Sequence, residues 1–252
     1  MNPREKAAHF AALHIKGSPL LLYNAWDAGS AKAVREAGAK AIATSSWAVA
    51  EAHGYRDGES IPLELVERIV ARIADTIDVP VTVDFEGGYG EDDEVLAANV
   101  SRLLDLGVVG INFEDRVVKG TGLYPVYRQV CRIGAVRAAA DKKGVALFIN
   151  ARTDLFLGQP GDPASSIDDA LKRAAAYAGA GASGFFVPGL RDEALIGRIC
   201  DGVTLPVNVL ALDGVPSNKR LADLGVARVS YGTIPYTRAM SALKEGAIKV
   251  FS

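Results

Sequence analysis

Cysteine, methionine and histidine are scarce: the 252 residues hold two, two and three of them. Cys131 and Cys200 lie far apart and match no zinc-binding or Cys-x-x-Cys spacing, which excludes a thiolate metal site and a dithiol redox motif. A disulfide between them is one reading; two buried thiols in a reducing cytosol is the preferred one. Excess charge of one sign is also missing, with 28 Lys and Arg against 30 Asp and Glu and a formal net charge of −2. Electrostatics therefore gives no reason to expect nucleic acid or an anionic membrane as partner. No segment approaches the ~20 consecutive apolar residues of a membrane span. The first residues mix Arg4, Glu5 and Lys6 with interrupted apolar stretches, unlike a signal peptide. A cytoplasmic protein is expected. Hydrophobic residues at 49% and charged residues at 23% exclude wholesale disorder, and the length suits one domain spanning residues 1–252.

One phrase recurs. Glu36-Ala37-Gly38-Ala39, Asp105-Leu106-Gly107-Val108, Gly179-Ala180-Gly181-Ala182 and Asp223-Leu224-Gly225-Val226 each put a glycine between an amphipathic stretch and a short apolar run. Glycine tolerates the left-handed conformation that ends a helix, so each phrase reads as helix stop, tight turn, buried strand. Apolar runs predict strands near 20–24, 40–45, 80–85, 109–114, 145–150, 183–187, 206–210 and 227–230. Helical periodicity falls near 30–37, 62–76, 92–106, 127–142, 166–179, 192–201, 216–224 and 234–248. Eight alternations predict an α/β fold, a single (β/α)8 TIM-type barrel with a leading N-terminal helix in residues 1–18. A doubly wound open sheet is the fallback.

Strands covered on both faces are expected to end in apolar residues, yet several strand ends here are polar. They are Asn24 and Asp27, Thr44-Ser45-Ser46, Asp84 and Glu86, Glu114-Asp115, Asn150 with Arg152 and Asp154, Asn208, and Ser230. In such a barrel these ends meet at one face, where active sites lie. Asp84, Glu86 and Glu114 put three carboxylates within reach of one point, an arrangement that is costly unless a cation or protons offset the repulsion. Mg2+, with Mn2+ as a substitute, suits such hard oxygen ligands; ion pairs with Arg152 or with helix N-termini are the alternative. Gly87-Gly88-Tyr89-Gly90 lacks the P-loop lysine and reads as a tight turn that starts a helix close to the acids.

Asn24-Ala25-Trp26-Asp27-Ala28, Ser45-Ser46, Gly54-Tyr55-Arg56-Asp57, Asp84-Phe85-Glu86-Gly87-Gly88-Tyr89-Gly90, Asn112-Phe113-Glu114-Asp115 and Asn150-Ala151-Arg152 occur in order over nearly the whole chain. Together they resemble the isocitrate lyase/phosphoenolpyruvate mutase superfamily. The resemblance implies Mg2+-dependent barrels that make or break C–C or P–C bonds beside a 2-oxo acid or its enolate. It implies that Ser45 and Ser46 receive a substrate oxygen through backbone N–H groups and that Asp57 is a catalytic aspartate. It further implies that Asp84, Glu86 and Glu114 contact the metal, directly or through water, and that Arg152 binds the substrate's anionic group. It also implies a homo-oligomer, dimer or tetramer, with exchanged C-terminal helices. Because the chain stops at Ser252, soon after the last expected helix, little is expected to remain for exchange.

The departures narrow the chemistry. C–C lyases of the superfamily carry a Lys-Lys/Arg-Cys-Gly-His loop after the Glu-Asp pair, with cysteine as general acid. Here Arg116-Val117-Val118-Lys119-Gly120-Thr121-Gly122-Leu123-Tyr124 stands instead, and Cys131 lies too far along. Of the mutase and hydrolase gating loop, only Lys119 is compatible. Glu86 stands where many members have aspartate, and Val187-Pro188 replaces the usual His or Glu after the sixth strand.

Several residues have two readings. Asp57 is a catalytic acid or a surface turn residue. His53, in the same loop, is a solvated residue or an acid–base group. Lys119, Thr121 and Tyr124 form a lid or an ordinary surface loop. Arg152 binds a substrate carboxylate, neutralises the acids, or does both. Trp47 walls the pocket or packs, and Asn208 is a further substrate contact. His9 and His14 are structural or surface residues, and Tyr236 and Arg238 reach the rim or an interface. The function expected is that of a Mg2+-dependent lyase or hydrolase acting on a small 2-oxo or 2-hydroxy dicarboxylate such as oxaloacetate. P–C chemistry on phosphonopyruvate and a non-catalytic 2-oxo acid-binding barrel are the alternatives.

Overall fold

The four glycines of the recurring phrase all take positive φ, 101° at Gly38, 83° at Gly107, 100° at Gly181 and 87° at Gly225, and each ends a helix just ahead of a strand. The computed structural model describes residues 2–158 and 161–252. Its strands are β1 (Leu20–Leu22), β2 (Ile42–Ala43), β3 (Val81–Asp84), β4 (Gly110–Glu114), β5 (Phe148–Arg152), β6 (Gly184–Phe186), β7 (Val207–Leu210) and β8 (Arg228–Ser230). All ladders are parallel, in the order β1-β8-β7-β6-β5-β4-β3-β2.

No ladder joins β1 to β2, and loop bonds draw that seam together. Ala25 N–H donates to Ala43 (2.8 Å), and Ser45 N–H donates to Ala25 (3.2 Å). Asn24 adds a three-way tie. Its amide N–H donates to the Thr44 carbonyl, and its oxygen accepts the N–H groups of Tyr231 and Gly232. The result is a nearly closed eight-stranded TIM-type barrel, as the alternation predicts.

The helices are α1 (Pro3–Ala12), α2 (Ala28–Glu36), α3 (Ser46–Ala52), α4 (Leu63–Thr76), α5 (Asp93–Asp105), α6 (Val126–Lys143), α7 (Ile167–Gly179), α8 (Glu193–Gly202), α9 (Asn218–Asp223) and α10 (Ile234–Phe251). Helix α4 shows why they cover the sheet: Leu63, Val66, Val70 and Ile73 recur at helical spacing and are buried. Helix α1 follows an Asn2–Glu5 capping box and plugs the barrel floor with Phe10. Phe10 lies edge-on to Phe148 at 5.5 Å, and His14 stacks on Phe148 at 3.9 Å. Gly110 leaves room for this plug, since a Cβ there would stand 2.6 Å from Phe10.

Some expectations need correction. The leading helix ends at Ala12, short of residue 18, and helix α3 stands where a Ser-Ser turn was read. Cys200 is buried, but Cys131 is exposed on α6; both are free thiols. Helix α10 runs 18 residues to Phe251, past its expected end near 248, with Pro235 its buried residue. Among the described residues, no helix is long and apolar enough to cross a membrane.

Candidate active site

Asp84 ends β3, and the start of α3 faces it. Ser45 caps that helix, its hydroxyl accepting the Ala48 N–H. Ser46 then turns both its backbone N–H (3.2 Å) and its hydroxyl (2.9 Å) onto one Asp84 oxygen, while Asn112 donates to the other at 3.3 Å. Ser46 Oγ also lies 3.2 Å from Asp57 Oδ1. One hydroxyl proton serves one carboxylate at a time, so Asp84 and Asp57, which is exposed on its loop, share it. Loss of surrounding water pushes the Asp57 pKa up, and the Asp84 charge adds to that rise.

Glu86 is buried, with φ at +50°. Its carboxylate accepts the N–H groups of Gly58 and Glu59 and the hydroxyl of Tyr89. Burial first, then the charges of Asp57 and Asp84, push its pKa up to about 8. Glu114, at the end of β4, is raised well above the carboxylate range, chiefly by burial. It meets Arg152 Nη1 at 2.9 Å. Arg152 also grips Asp154 with two bonds, 2.6 and 2.9 Å. Burial opposes the arginine's charge, but Glu114 and Asp154 overcome that and keep it protonated. These contacts neutralise the acids, one of the roles expected of it.

Other residues fall away from this centre. The Ser45 N–H is committed to the barrel seam. Asn208 is fully buried inside the barrel, its amide donating to Ser230. His53 is exposed and bonds to Val49 of its own helix. In the loop after β4, Arg116 bridges to Leu123, and Lys119 and Thr121 are exposed. Tyr124 is not free to move with them: its N–H donates to Asp115 and its ring stacks under Arg132 at 4.2 Å. Lys119 lines a side cavity of about 170 Å³ with Glu59, Tyr89 and Arg132. Trp47 stands edge-on to Tyr236 (5.8 Å), which meets Trp26 in the same way (5.1 Å), so the three form one aromatic cluster.

Sequence reasoning missed Arg228. It is fully buried on β8, donates to Asn112 Oδ1 at 3.0 Å, and so supports the residue that holds Asp84. Burial lowers its pKa to about 9, with Asp84 opposing. Arginine inside an apolar run was the available signal. Glu59 and Tyr89 were missed as well, because their contacts join separate loops.

The fit of a divalent cation is mixed. On top of burial, the Asp84 charge raises the pKa of Asp57, Glu86 and Glu114, which is the electrostatic condition that a cation relieves. Among the described residues, however, no three His, Cys, Asp or Glu side chains are gathered to hold one. The charge fits, while the carboxylates' present bonds point them at other partners.

The family model for phosphoenolpyruvate phosphomutase matches residues 10–251. A solved structure from Burkholderia cenocepacia J2315, a provisionally assigned phosphonomutase, is 44% identical, covers 100% of both chains and superposes with a TM-score of 0.95. An uncharacterised Mycobacterium tuberculosis protein is 34% identical over 239 residues, 94% of this chain and 87% of that protein. The 2-methylisocitrate lyase of Escherichia coli is 29% identical over 251 residues, 96% and 82% of the two chains. An oxaloacetate decarboxylase of Rhodopseudomonas palustris is 29% identical over 203 residues, 73% and 65%.

Proposed function

The chain belongs to the phosphoenolpyruvate phosphomutase family, within the isocitrate lyase/phosphoenolpyruvate mutase superfamily of enzymes, and on that premise we propose that it decarboxylates or hydrolyses a small 2-oxo dicarboxylate of the oxaloacetate kind. The observation that carries this reading is the set of four mutually repelling carboxylates around Ser46 and Arg152. The absence of the lyase cysteine after Asp115 agrees with it, since decarboxylation asks only for a proton at C3, which Asp57 can supply in its place. The name oxaloacetate decarboxylase borne by one relative lends further support.

Mg2+ is proposed at Asp84, with Glu86 and Glu114 supplying surrounding negative charge; when bound, it provides the positive charge that polarises a 2-oxo group. Loss of CO2 from oxaloacetate breaks the C3–C4 bond and leaves the electron pair shared between C3 and the 2-oxo oxygen. The hydroxyl and N–H of Ser46, now on Asp84, favour charge on that oxygen once they turn to it. Arg152 offers the edge now on Glu114 to a substrate carboxylate. Asp57, held towards its protonated form, delivers the proton that C3 needs. Incubating the protein with Mg2+ and mixed 2-oxo and 2-hydroxy dicarboxylates tests this by NMR, and finding no pyruvate-like product would refute it.

The 44%-identical Burkholderia structure favours one second reading, P–C bond chemistry on phosphonopyruvate, which phosphorus NMR separates from the first. A homo-oligomer, dimer or tetramer, is also proposed. Leu21 and Tyr23 on the outer side of β1 are partly exposed, beside an apolar groove of about 730 Å³. Helix α10 meanwhile exposes Leu243, Ile248, Val250 and Phe251.

A further inference from the structure

Glu86 spends its hydrogen bonds on the loop that carries Asp57. Oε1 accepts from the N–H groups of Gly58 (2.8 Å) and Glu59 (3.1 Å), and Oε2 accepts from Glu59 N–H (3.1 Å) and the Tyr89 hydroxyl (3.3 Å). The bonding is reciprocal, because Glu59 Oε1 accepts the Tyr89 N–H at 2.8 Å. Glu59, Glu86 and Tyr89 hold φ of 53°, 50° and 58°, the three positive values among described non-glycine residues. Side chains rarely adopt that conformation, and it persists where surrounding bonds enforce it. Val118, from the loop after β4, lies on both halves. A Cβ at Gly87 would meet it at 2.8 Å and one at Gly58 at 3.7 Å.

We propose that Glu59 and Glu86 form a reciprocal latch between the loop that joins α3 to α4 and the loop after β3, and that Glu86 is the positioning residue that fixes Asp57. Asp57 immediately precedes the two N–H groups that Glu86 holds, so its placement follows from theirs. The latch also gives a physical reason for glutamate at 86 where superfamily members often have aspartate: the extra methylene spans the gap to the other loop. The proposal rests on the reading that Asp57 moves a proton in the 2-oxo acid reaction.

The test uses the full chain with Glu86→Asp, Glu86→Gln, Glu59→Ala and Glu59→Gln. Glutamine keeps an acceptor oxygen at the same reach; aspartate keeps the charge and loses the reach. Glu86→Asp is expected to speed amide exchange at Gly58 and Glu59 by roughly tenfold or more, the loss of hydrogen bonds to a charged acceptor. It lowers kcat in parallel, with KM and Mn2+ affinity nearly unchanged. Glu59→Ala reproduces that pattern, Glu59→Gln restores protection and turnover, and Glu86→Gln restores protection of both amides. Two results overturn the latch. One is Glu86→Asp with both amides protected as in the parent. The other is Glu86→Gln, which keeps the acceptor and its reach, exchanging both amides as fast as Glu86→Asp does. If the parent turns over no 2-oxo acid, the reaction assignment fails, and amide exchange still decides the latch.

Discussion

Four acids crowd the rim around Arg152, and each carries a different load. Asp84 is held by Ser46 and Asn112, Glu114 by Arg152, and Glu86 by the N–H groups of Gly58 and Glu59. Asp57 keeps the weakest hold, a shared serine hydroxyl, which suits a group that must give up its proton. Asp57→Asn is therefore expected to cut kcat by about 10²–10⁴-fold with little change in KM, measured by steady-state kinetics. Glu86 supplies a pH signature. Its folded pKa of about 8 stands above the ordinary value of 4.5, so its neutral form stabilises the metal-free fold below pH 4.5, and that contribution is lost as pH rises through 8. A divalent cation favours the ionised carboxylate. Mg2+ is thus expected to raise the melting temperature more at pH 8.5 than at pH 6, a difference that Glu86→Gln reduces.

Among the elements, α3 and α1 instruct most. The residues of the acid cluster were legible because apolar strands have no other reason to end in Asp84, Glu114 and Arg152. Helix α3 was not, since seven residues give too little periodicity and Ser45-Ser46 reads equally as a turn or as a cap. The cross-loop partners of Ser46, Glu59 and Arg228 were illegible for a related reason. Hydrogen bonds across 38, 30 and 116 residues depend on barrel closure, which no local pattern encodes. Helix α1 was visible as an element, while its role as a floor plug was not. Burial lowers the His14 pKa from 6.5 to about 3, with Arg228 reinforcing the shift. The neutral imidazole is the form the fold accepts, so stability is fully present above pH 6.5 and falls as pH drops towards 3. His14→Phe, which keeps the stack on Phe148, is expected to lose less stability than the parent between pH 6.5 and 4 in urea titrations.

For the whole molecule, the barrel leaves one side unfinished. The outer face of β1 has an apolar groove, and α10 leaves Leu243, Ile248, Val250 and Phe251 exposed. Leu243→Glu is expected to lower the molecular mass by light scattering to that of a smaller assembly; an unchanged mass removes α10 from the interface. The rim chemistry is a separate matter from assembly, and one measurement reaches it most directly. Carbon-13 NMR of labelled oxaloacetate with Mg2+, run with the parent, with Asp57→Asn and without protein, follows C3–C4 cleavage against the spontaneous rate. Pyruvate formed by the parent well above the protein-free rate, and lost with Asp57→Asn, is the expected result. Equal rates in all three samples would contradict a catalytic centre built on Asp57, Asp84 and Arg152.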